Sequence, residues 1–371
     1  MNFCSSKERE EKMIQARYQY TYFIYPFQIQ QNKVVKHIEK WNQNKKWRKK
    51  ELPKENPFYY FYSTKDQEQQ HSFHVWEYQL EQRVEGKTEE KGIFFQIQNI
   101  ELICFQTGIC FVSIKTCIEN LEDFADVLNF NYKFNHTESC EKIRIQANRF
   151  QDIKTMKDLL QEITGEVCDN VNFQTFSYTC LDAENWNEQN AFEKIENLFY
   201  KYLYMKPYDE DVEFNKAEIY DFSNLKYAKY GITERNCVLL TSTVNSYNYT
   251  KLPALYENQY LYTYLFALYQ KYYAMKTIRE VEQDINKANK MLQFYYQNWQ
   301  EKLYDAKEEP FLRVAEEKLG VNEMIEKARV YYEQYENTFA KKIDKILLII
   351  LAISLGMNII NFIILIRNGM I

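Results

Sequence analysis

An acidic turn carries the side chains whose types and spacing come closest to a metal site. Its carboxylates are Asp209, Glu210, Asp211 and Glu213. Numbered from Asp209, an EF-hand loop requires Gly at its sixth position and Glu at its twelfth, where this sequence has Phe214 and Tyr220. An EF-hand is therefore excluded. The turn predicts a solvated loop, with a weak divalent-cation site on Asp209 and Asp211 as the alternative.

A second cluster combines basic and aromatic residues within one short segment. It comprises Trp41, Lys45, Lys46, Trp47, Arg48, Lys49 and Lys50. Such a cluster suits anionic lipid headgroups, where each cation contributes about 1 kcal/mol near the surface. A solvated helix end and loop is the plainer interpretation. Nucleic acid is a further alternative for the cluster, but a net charge of −5 and a pI near 5.7 argue against it as a partner of the protein.

Motifs of known catalytic chemistry are missing from the sequence. It holds no Walker loop, no dinucleotide-binding glycine pattern, no H-E-x-x-H zinc motif and no G-x-S-x-G nucleophile elbow. His71 and His74 lie three residues apart in a predicted strand, so their side chains would point to opposite faces. They are interpreted as surface histidines. No catalytic residue is predicted, and no cofactor other than the possible divalent cation.

The cysteines indicate a reducing compartment. There are eight, at positions 4, 104, 110, 117, 140, 168, 180 and 237, and no two form a C-x-x-C pair. A disulfide or zinc framework would show tighter, patterned spacing. Reduced and mostly buried thiols therefore predict a cytosolic location. Only 8 Gly and 6 Pro occur in 371 residues, which favours long, uninterrupted helices.

Residues 346–366 predict a transmembrane helix. They are 21 uncharged residues dominated by Ile and Leu, and at 1.5 Å per residue they extend roughly 30 Å, the thickness of a hydrocarbon core. Lys341, Lys342 and Lys345 precede this segment, whereas Arg367 alone follows it. The positive-inside rule then places the large N-terminal part in the cytosol. The start of the chain resembles no secretory signal, so we expect a single-pass, tail-anchored protein of the cell membrane, with residues 367–371 as a short tail.

One side of this helix is partly polar. Positions with 4-3-4-3-4 spacing are Leu347, Leu351, Ser354, Asn358, Asn361 and Leu365. An Asn side chain in hydrocarbon is costly unless its amide finds a partner, and a second copy of the helix supplies one. The pattern favours a homo-oligomer over a solitary anchor, and it makes Ser354, Asn358 and Asn361 the predicted contact face.

Before the anchor, the sequence predicts two structural regions after an N-terminal tail of residues 1–16. Residues 17–250 alternate between β-branched, aromatic runs and helical patterns, which indicates an α+β or mixed α/β domain. The clearest local signal is a β-hairpin over residues 93–116 with its turn at Gln106-Thr107-Gly108. We also expect strands over 17–27, stopped at Pro26, and over 58–62, and a helix over 188–205.

Residues 251–345 predict a helical hairpin that serves as a stalk. Residues 254–309 contain neither Gly nor Pro. Within them a 4-3 repeat typical of a coiled coil is formed by Ala274, Ile278, Val281, Ile285, Ala288, Leu292, Tyr295 and Trp299. Glu308-Glu309-Pro310 is the predicted break, after which a heptad pattern runs into the anchor unless Gly320 interrupts it.

A cytosolic α/β domain, a helical hairpin and a stalk helix that enters the membrane resemble the CorA family of divalent-metal ion transporters. Gly356-Met357-Asn358 matches the Gly-Met-Asn signature of that family. The resemblance implies a homopentamer with Asn358 at the selectivity mouth of a cation pore. In the family the motif ends the pore-lining helix, whereas here it lies about 15 Å into a single predicted span.

Two functions from different classes follow as expectations. The first is a membrane-anchored, homo-oligomeric binding, sensing or scaffold protein of unknown ligand. The alternative is a CorA-like divalent-cation transporter or channel subunit whose pore is lined by Ser354, Asn358 and Asn361. A membrane-bound enzyme ranks third, because no catalytic constellation supports it.

We predict that a reporter fused at residue 1 lies in the cytosol and that residues 368–371 are labelled from outside, because positive charge is concentrated before the apolar segment. In right-side-out vesicles a protease should digest the N-terminal part only after permeabilisation. Digestion in intact vesicles would reverse the predicted orientation.

Overall fold

The computed structural model describes residues 13–52, 56, 59, 72–80, 84–88, 92–135, 143–146, 155–165, 171–211, 213–214, 225–296 and 309–367. The chain forms two compact units, the first from residues 1–269 and 301–319 and the second from residues 270–300 and 320–371. The first unit contains a large β-sheet and the second is helical.

Ten strands form the sheet. They are β1 Ala16–Gln28, β2 Trp47–Lys50, β3 Phe73–Tyr78, β4 Val84–Lys87, β5 Phe94–Phe105, β6 Ile109–Ile118, β7 Arg144–Gln146, β8 Gln174–Leu181, β9 Ala228–Ile232 and β10 Asn236–Ser242. The main order is β2-β3-β5-β6-β1-β8-β10-β9, and β4 joins β7 to β5. Among the described strands the pairing is antiparallel except between β8 and β10.

Nine α-helices are described. They are α1 Val34–Gln43, α2 Phe124–Asn135, α3 Met156–Thr164, α4 Glu196–Leu203, α5 Ser246–Leu255, α6 Leu261–Val281, α7 Ile285–Tyr296, α8 Glu309–Lys318 and α9 Val321–Arg367. A π-helical segment, Tyr256–Tyr260, joins α5 to α6 without a break. The mixed α/β class predicted for residues 17–250 is confirmed.

The β5–β6 hairpin forms as predicted, and Gly108 is the residue that makes its turn possible. Gly108 has a φ of 84°, in the left-handed region that favours glycine. A Cβ at this position would lie 2.2 Å from the carbonyl oxygen of Ile29. The backbone N–H of Ile29 in turn donates to the Gly108 carbonyl at 2.8 Å, which fastens the turn to the segment that leads into α1.

One face of the sheet is covered by α1 to α4 through aromatic packing. Phe23 of β1 is fully buried and stacks on Phe134 of α2, with ring centroids 3.9 Å apart. Trp76 of β3 packs against Trp41 of α1 at 5.2 Å. Burial of large aromatic side chains from several helices against one sheet supplies the dominant stabilisation of this layer.

The opposite face is covered by α5, the π-helical segment and the first part of α6. Phe176 of β8 stacks on Tyr256 at 4.0 Å, and Phe105 of β5 stacks on Tyr269 at 3.8 Å. Tyr20 of β1 donates to the carbonyl of Pro253 in α5 at 3.0 Å. The first unit is therefore a sheet with helices on both faces.

The second unit contains the end of α6, α7 and α9. Helix α7 packs against α9, and Ala288 and Ala328, one from each helix, are fully buried. The repeat that predicts one long helix is instead divided by a turn at residues 282–284. Asp284 explains the new start, because its carboxylate accepts from the backbone N–H of Lys287 at 3.0 Å and so caps α7.

Several element boundaries differ from the predicted ones for local reasons. Strand β1 continues through Pro26, which lies beyond Ile24, the last residue of β1 that pairs with β8. At that point β1 has a partner on one side, where proline is tolerated. Gly320, with a φ of 70°, separates α8 from α9. The helix predicted over 188–205 shortens to α4, and the strand predicted over 58–62 lies outside the described residues apart from Tyr59.

Replacing Leu292 by Asp should destabilise the second unit by at least about 3 kcal/mol, because Leu292 is 4% exposed and the new carboxylate would be buried without a partner. Asn286→Asp, on the exposed side of α7, is the matched control and should change stability little. The measurement is loss of helical circular dichroism during urea denaturation of both variants. Equal shifts at the two positions would contradict the assigned packing face.

Candidate functional site

Helix α9 carries an apolar surface with no protein cover. Between positions 346 and 360, eleven large apolar side chains are each 55–64% exposed. Within the described residues this is the one helix that is long and apolar enough to cross a membrane, with a mean hydropathy of 2.1 over its most apolar stretch. At 1.5 Å per residue, the 47 residues of α9 extend about 70 Å.

The predicted polar face lies on this exposed stretch. Ser354 and Asn358 are exposed, and the helix continues without interruption through Gly356-Met357-Asn358 to Arg367. A Cβ placed on Gly356 would meet no atom within 4 Å. Asn361 belongs to the same helix, but its side chain lies outside the described residues.

The basic and aromatic cluster is divided by the structure into buried tryptophans and exposed cations. Trp41 and Trp47 are 3% and 8% exposed. Trp41 packs on Trp76, and Trp47 meets the ring of Tyr78 edge-on at 4.9 Å. The interpretation of both tryptophans as surface lipid contacts is corrected by this burial, since they anchor α1 and β2 to the core.

The cations of that cluster lie on the turn after α1 and on β2, which is an edge strand. Lys45, Lys46, Arg48 and Lys49 are exposed and Lys50 is partly buried. Two of them are engaged with carboxylates, Lys46 with Glu162 and Lys50 with Glu101. The exposed part of the cluster is therefore cationic, whereas its two tryptophans belong to the core.

The acidic turn after α4 is exposed and not assembled as a metal site. Asp209 and Asp211 are both exposed, and the intervening Glu210 forms an ion pair with Lys206 at 2.8 Å. Within the described residues no three His, Cys, Asp or Glu side chains converge at a spacing that would hold a metal ion.

A polar network that the sequence does not predict lies on the face of β1, β5 and β6 that the π-helical segment and α6 cover. Lys115 of β6 forms an ion pair with Glu257 at 2.6 Å. Tyr22 of β1 donates to the same carboxylate, and the Lys115 ammonium lies 4.7 Å from the ring centroid of Tyr20. Glu257 belongs to the π-helical segment, a conformation that is rare and frequently found at functional sites.

The network has a second branch centred on Glu101 of β5, which is 3% exposed. Its carboxylate accepts from Lys50 at 2.5 Å, Asn99 at 3.0 Å and Tyr262 at 3.3 Å. Burial, with the nearby carboxylates adding to it, raises the pKa of Tyr262 well above its usual value, so its hydroxyl stays protonated and donates. The Lys50 ammonium therefore neutralises the buried charge, while Asn99 and Tyr262 satisfy further acceptor positions of the carboxylate.

A sequence signal for this network exists, although it is weak. Glu101 is the single charge in the apolar run of residues 100–105, and a lone charge in a buried strand needs a partner. The sequence does not identify the other members of the network, because Lys50, Lys115 and Glu257 come from segments far apart in the chain.

His74 is buried, contrary to its interpretation as a surface residue. It is 7% exposed, and its Nε2 lies 3.1 Å from the amide nitrogen of Gln106. Desolvation, with a contribution from Lys49, lowers the pKa of His74 to about 4. The ring is therefore neutral at physiological pH. His71 lies outside the described residues.

Comparison with known proteins finds no match for this chain among protein-family models, curated proteins or solved structures.

Lys115→Met should reduce the free energy of unfolding by about 1–3 kcal/mol, because it leaves the Glu257 carboxylate, which is 29% exposed, without its cation. Adding Glu257→Gln should recover part of that loss, since no charge then remains unbalanced. Urea denaturation of the single and double variants measures the coupling. Lys226→Met is the control, because the Lys226–Glu188 pair is fully exposed and its loss should not be measurable. Additive effects of the two network substitutions would contradict a coupled pair.

Proposed function

We propose that this protein is a homo-oligomeric binding or scaffold module, held to the cytosolic side of a membrane by helix α9. The observation that carries the proposal is the continuous exposure of the apolar residues between 346 and 360. Transfer of large apolar side chains out of water contributes about 1.5–3 kcal/mol for each one. An uncovered surface of this size is not stable in water alone, and a bilayer is the environment that its length fits.

The residues at the start of the apolar stretch support the orientation. Lys341, Lys342 and Lys345 are exposed on α9, directly before the first apolar position. Cations at one end of a membrane helix favour the cytosolic side. The mixed α/β unit then lies in the cytosol, where its free and mostly buried cysteines remain reduced.

Self-association is proposed from the polar positions within the apolar stretch. Ser354 and Asn358 carry groups that are poorly solvated by hydrocarbon, and their side chains share one side of α9 with Leu347 and Leu351. A neighbouring copy of the helix satisfies these groups with hydrogen bonds of about 1 kcal/mol each. Identical contacts repeat around a closed ring, which makes a modest bond effective.

Cation transport by a CorA-like assembly is the second candidate. It is favoured by the same side of α9, because a ring of Ser354 and Asn358 side chains would line a polar path through the membrane. Flux of Mg²⁺ into liposomes that contain the full chain separates this candidate from a scaffold, which would not conduct.

We predict that Asn358→Leu weakens the oligomer without impairing membrane insertion, because Leu partitions into a bilayer better than Asn while the interhelical amide bond is lost. The native mass in detergent should shift toward smaller species. If α9 lines a pore, the same substitution also abolishes cation flux. Ile359→Ala, on a different side of the helix, is the control and should leave the mass unchanged.

Cysteine crosslinking gives an independent test of the same face. Disulfides between copies should form with cysteine at positions 354, 358 and 361, and not at 359 or 363, with the parent chain as the background control. Uniform crosslinking around the helix, or none, would leave a solitary tether and remove both the oligomer and the pore.

A further inference from the structure

Positive charge is concentrated in one short part of the first unit. Residues 33–50 contain eight Lys or Arg and a single Glu, a net charge of +7 in a chain whose total is −5. This segment forms α1, the following turn and β2, all at one edge of the sheet. A local excess of this size attracts anions. The fold accounts for only part of it, since Lys46 pairs with Glu162 and Lys50 with Glu101.

Helix α1 borders a groove of about 650 Å³ within this cationic surface. The groove is lined by Lys33, Lys36, His37, Glu39, Lys40 and Gln43, with Asn44 at the end of the helix. Lys33, Lys36 and Lys40 are exposed and are spaced three and four residues apart, so their ammonium groups occupy one side of the helix. Three cations therefore converge on one depression instead of being spread around α1.

The core holds α1 in place, so the helix that borders the groove does not depend on a ligand for its position. Val34 and Trp41, at the two ends of the helix, are 1% and 3% exposed. Asn42 accepts from the indole N–H of Trp76 at 2.9 Å, which fixes the last turn of α1 to β3. A helix fastened at both ends presents its lysines at a defined spacing, and this reduces the entropy lost when an anion binds.

We propose that this groove, named here the α1 groove, binds the phosphorylated polyol of an inositol phosphate, either as a lipid headgroup or as the free compound. Three lysines match a ligand that carries more than one phosphate. The Gln43 carboxamide and the Glu39 carboxylate add a donor and acceptors for ring hydroxyl groups. The inference deepens the binding role proposed above by naming its ligand class, and it rests on that role but not on the membrane helix.

Other anions fit the α1 groove less well. A nucleic acid is usually held by several aromatic side chains that stack on its bases. The described lining offers one ring, His37, and no Tyr, Phe or Trp, since Trp41 is buried beneath the helix. An apolar ligand would find charged and amide groups on every described side. A phosphorylated polyol satisfies the cations and the uncharged polar groups together.

The test measures binding of inositol 1,4,5-trisphosphate to the purified full chain in a non-ionic detergent by calorimetry, with unphosphorylated inositol as the negative ligand. Lys36→Gln/Lys40→Gln should weaken binding by about 30-fold, as expected for two lost cation contacts. Lys45→Gln/Arg48→Gln removes the same charge outside the groove and should weaken binding less than about threefold. All four side chains are exposed, so both variants should retain the parent circular dichroism spectrum and melting temperature.

A second arm distinguishes the two sources of the ligand. Vesicles containing phosphatidylinositol 4,5-bisphosphate are compared with phosphatidylserine vesicles of equal charge for capture by the immobilised full chain. Selective capture identifies the lipid headgroup as a source, and binding of the trisphosphate without capture identifies the free compound. Both results support the α1 groove.

The proposal would be overturned by equal weakening in the two double variants, by equally tight binding of a short uridine oligonucleotide, or by no binding of the trisphosphate. Resistance of the membrane-bound chain to alkaline extraction tests the anchor separately, so either proposal can fail alone.

Discussion

Strand β1 hydrogen-bonds to β6 along one edge and to β8 along the other, so in the described sheet the two halves are joined through it. Its alternating side chains also connect the two helical layers. Phe23 stacks on α2 on one face, while Tyr20 and Tyr22 bond to α5 and to the π-helical segment on the other. Because side chains alternate along a strand, a register shift of one residue would exchange these two sets and break both layers at once. The register of β1 therefore constrains the rest of the first unit.

The polar network shows how the register of β1 also positions the helical segment between α5 and α6. Tyr22 and Lys115 are directly paired across β1 and β6, and both contact Glu257. The carboxylate can be partly buried there because two donors from the sheet already face it. A wider π-helical turn at Tyr256–Tyr260 also places Tyr256 on Phe176. The segment thus combines a charged contact and an aromatic contact, both determined by strands that pair far from it in sequence.

The elements that follow from local chemistry could be predicted from the sequence. Gly108 allows the hairpin turn at its predicted position, and Gly165, with a φ of 71°, ends α3. Thr155 begins that helix with a capping box closed by Asp158. These signals are local and need no knowledge of distant residues.

The features that depend on tertiary contacts could not be predicted in the same way. The lysine neighbours of Trp41 and Trp47 favour a surface position for both, yet β2 is an edge strand that buries Trp47 and exposes Arg48. Asp284 lies within an apolar repeat that predicts a continuous helix, so the sequence does not identify it as the residue that caps α7. The polar network depends on the cross-strand pairing of Asn99 with Lys115, and a single sequence does not show which residues pair across two strands.

On the proposed anchoring, the charges of α9 determine how deep the helix lies. Arg329 forms an ion pair with Glu326 at 2.7 Å, so that part of the helix suits water. Asp344 and Lys345 are the last charged residues before the exposed apolar stretch begins at Ile346. Lysine side chains can extend toward the headgroups while their methylene groups remain in the apolar layer, whereas a buried Asp344 carboxylate cannot reach water so easily.

These charges limit movement of the helix along the membrane normal. Movement inward by one helical turn would bring Asp344 into hydrocarbon, and movement outward would expose Ile346 and its neighbours to water. Both are unfavourable, so the proposed anchoring sets the boundary between lipid and water within a turn of Lys345. It thereby puts Asn358 near the middle of the bilayer, where a partner amide matters most.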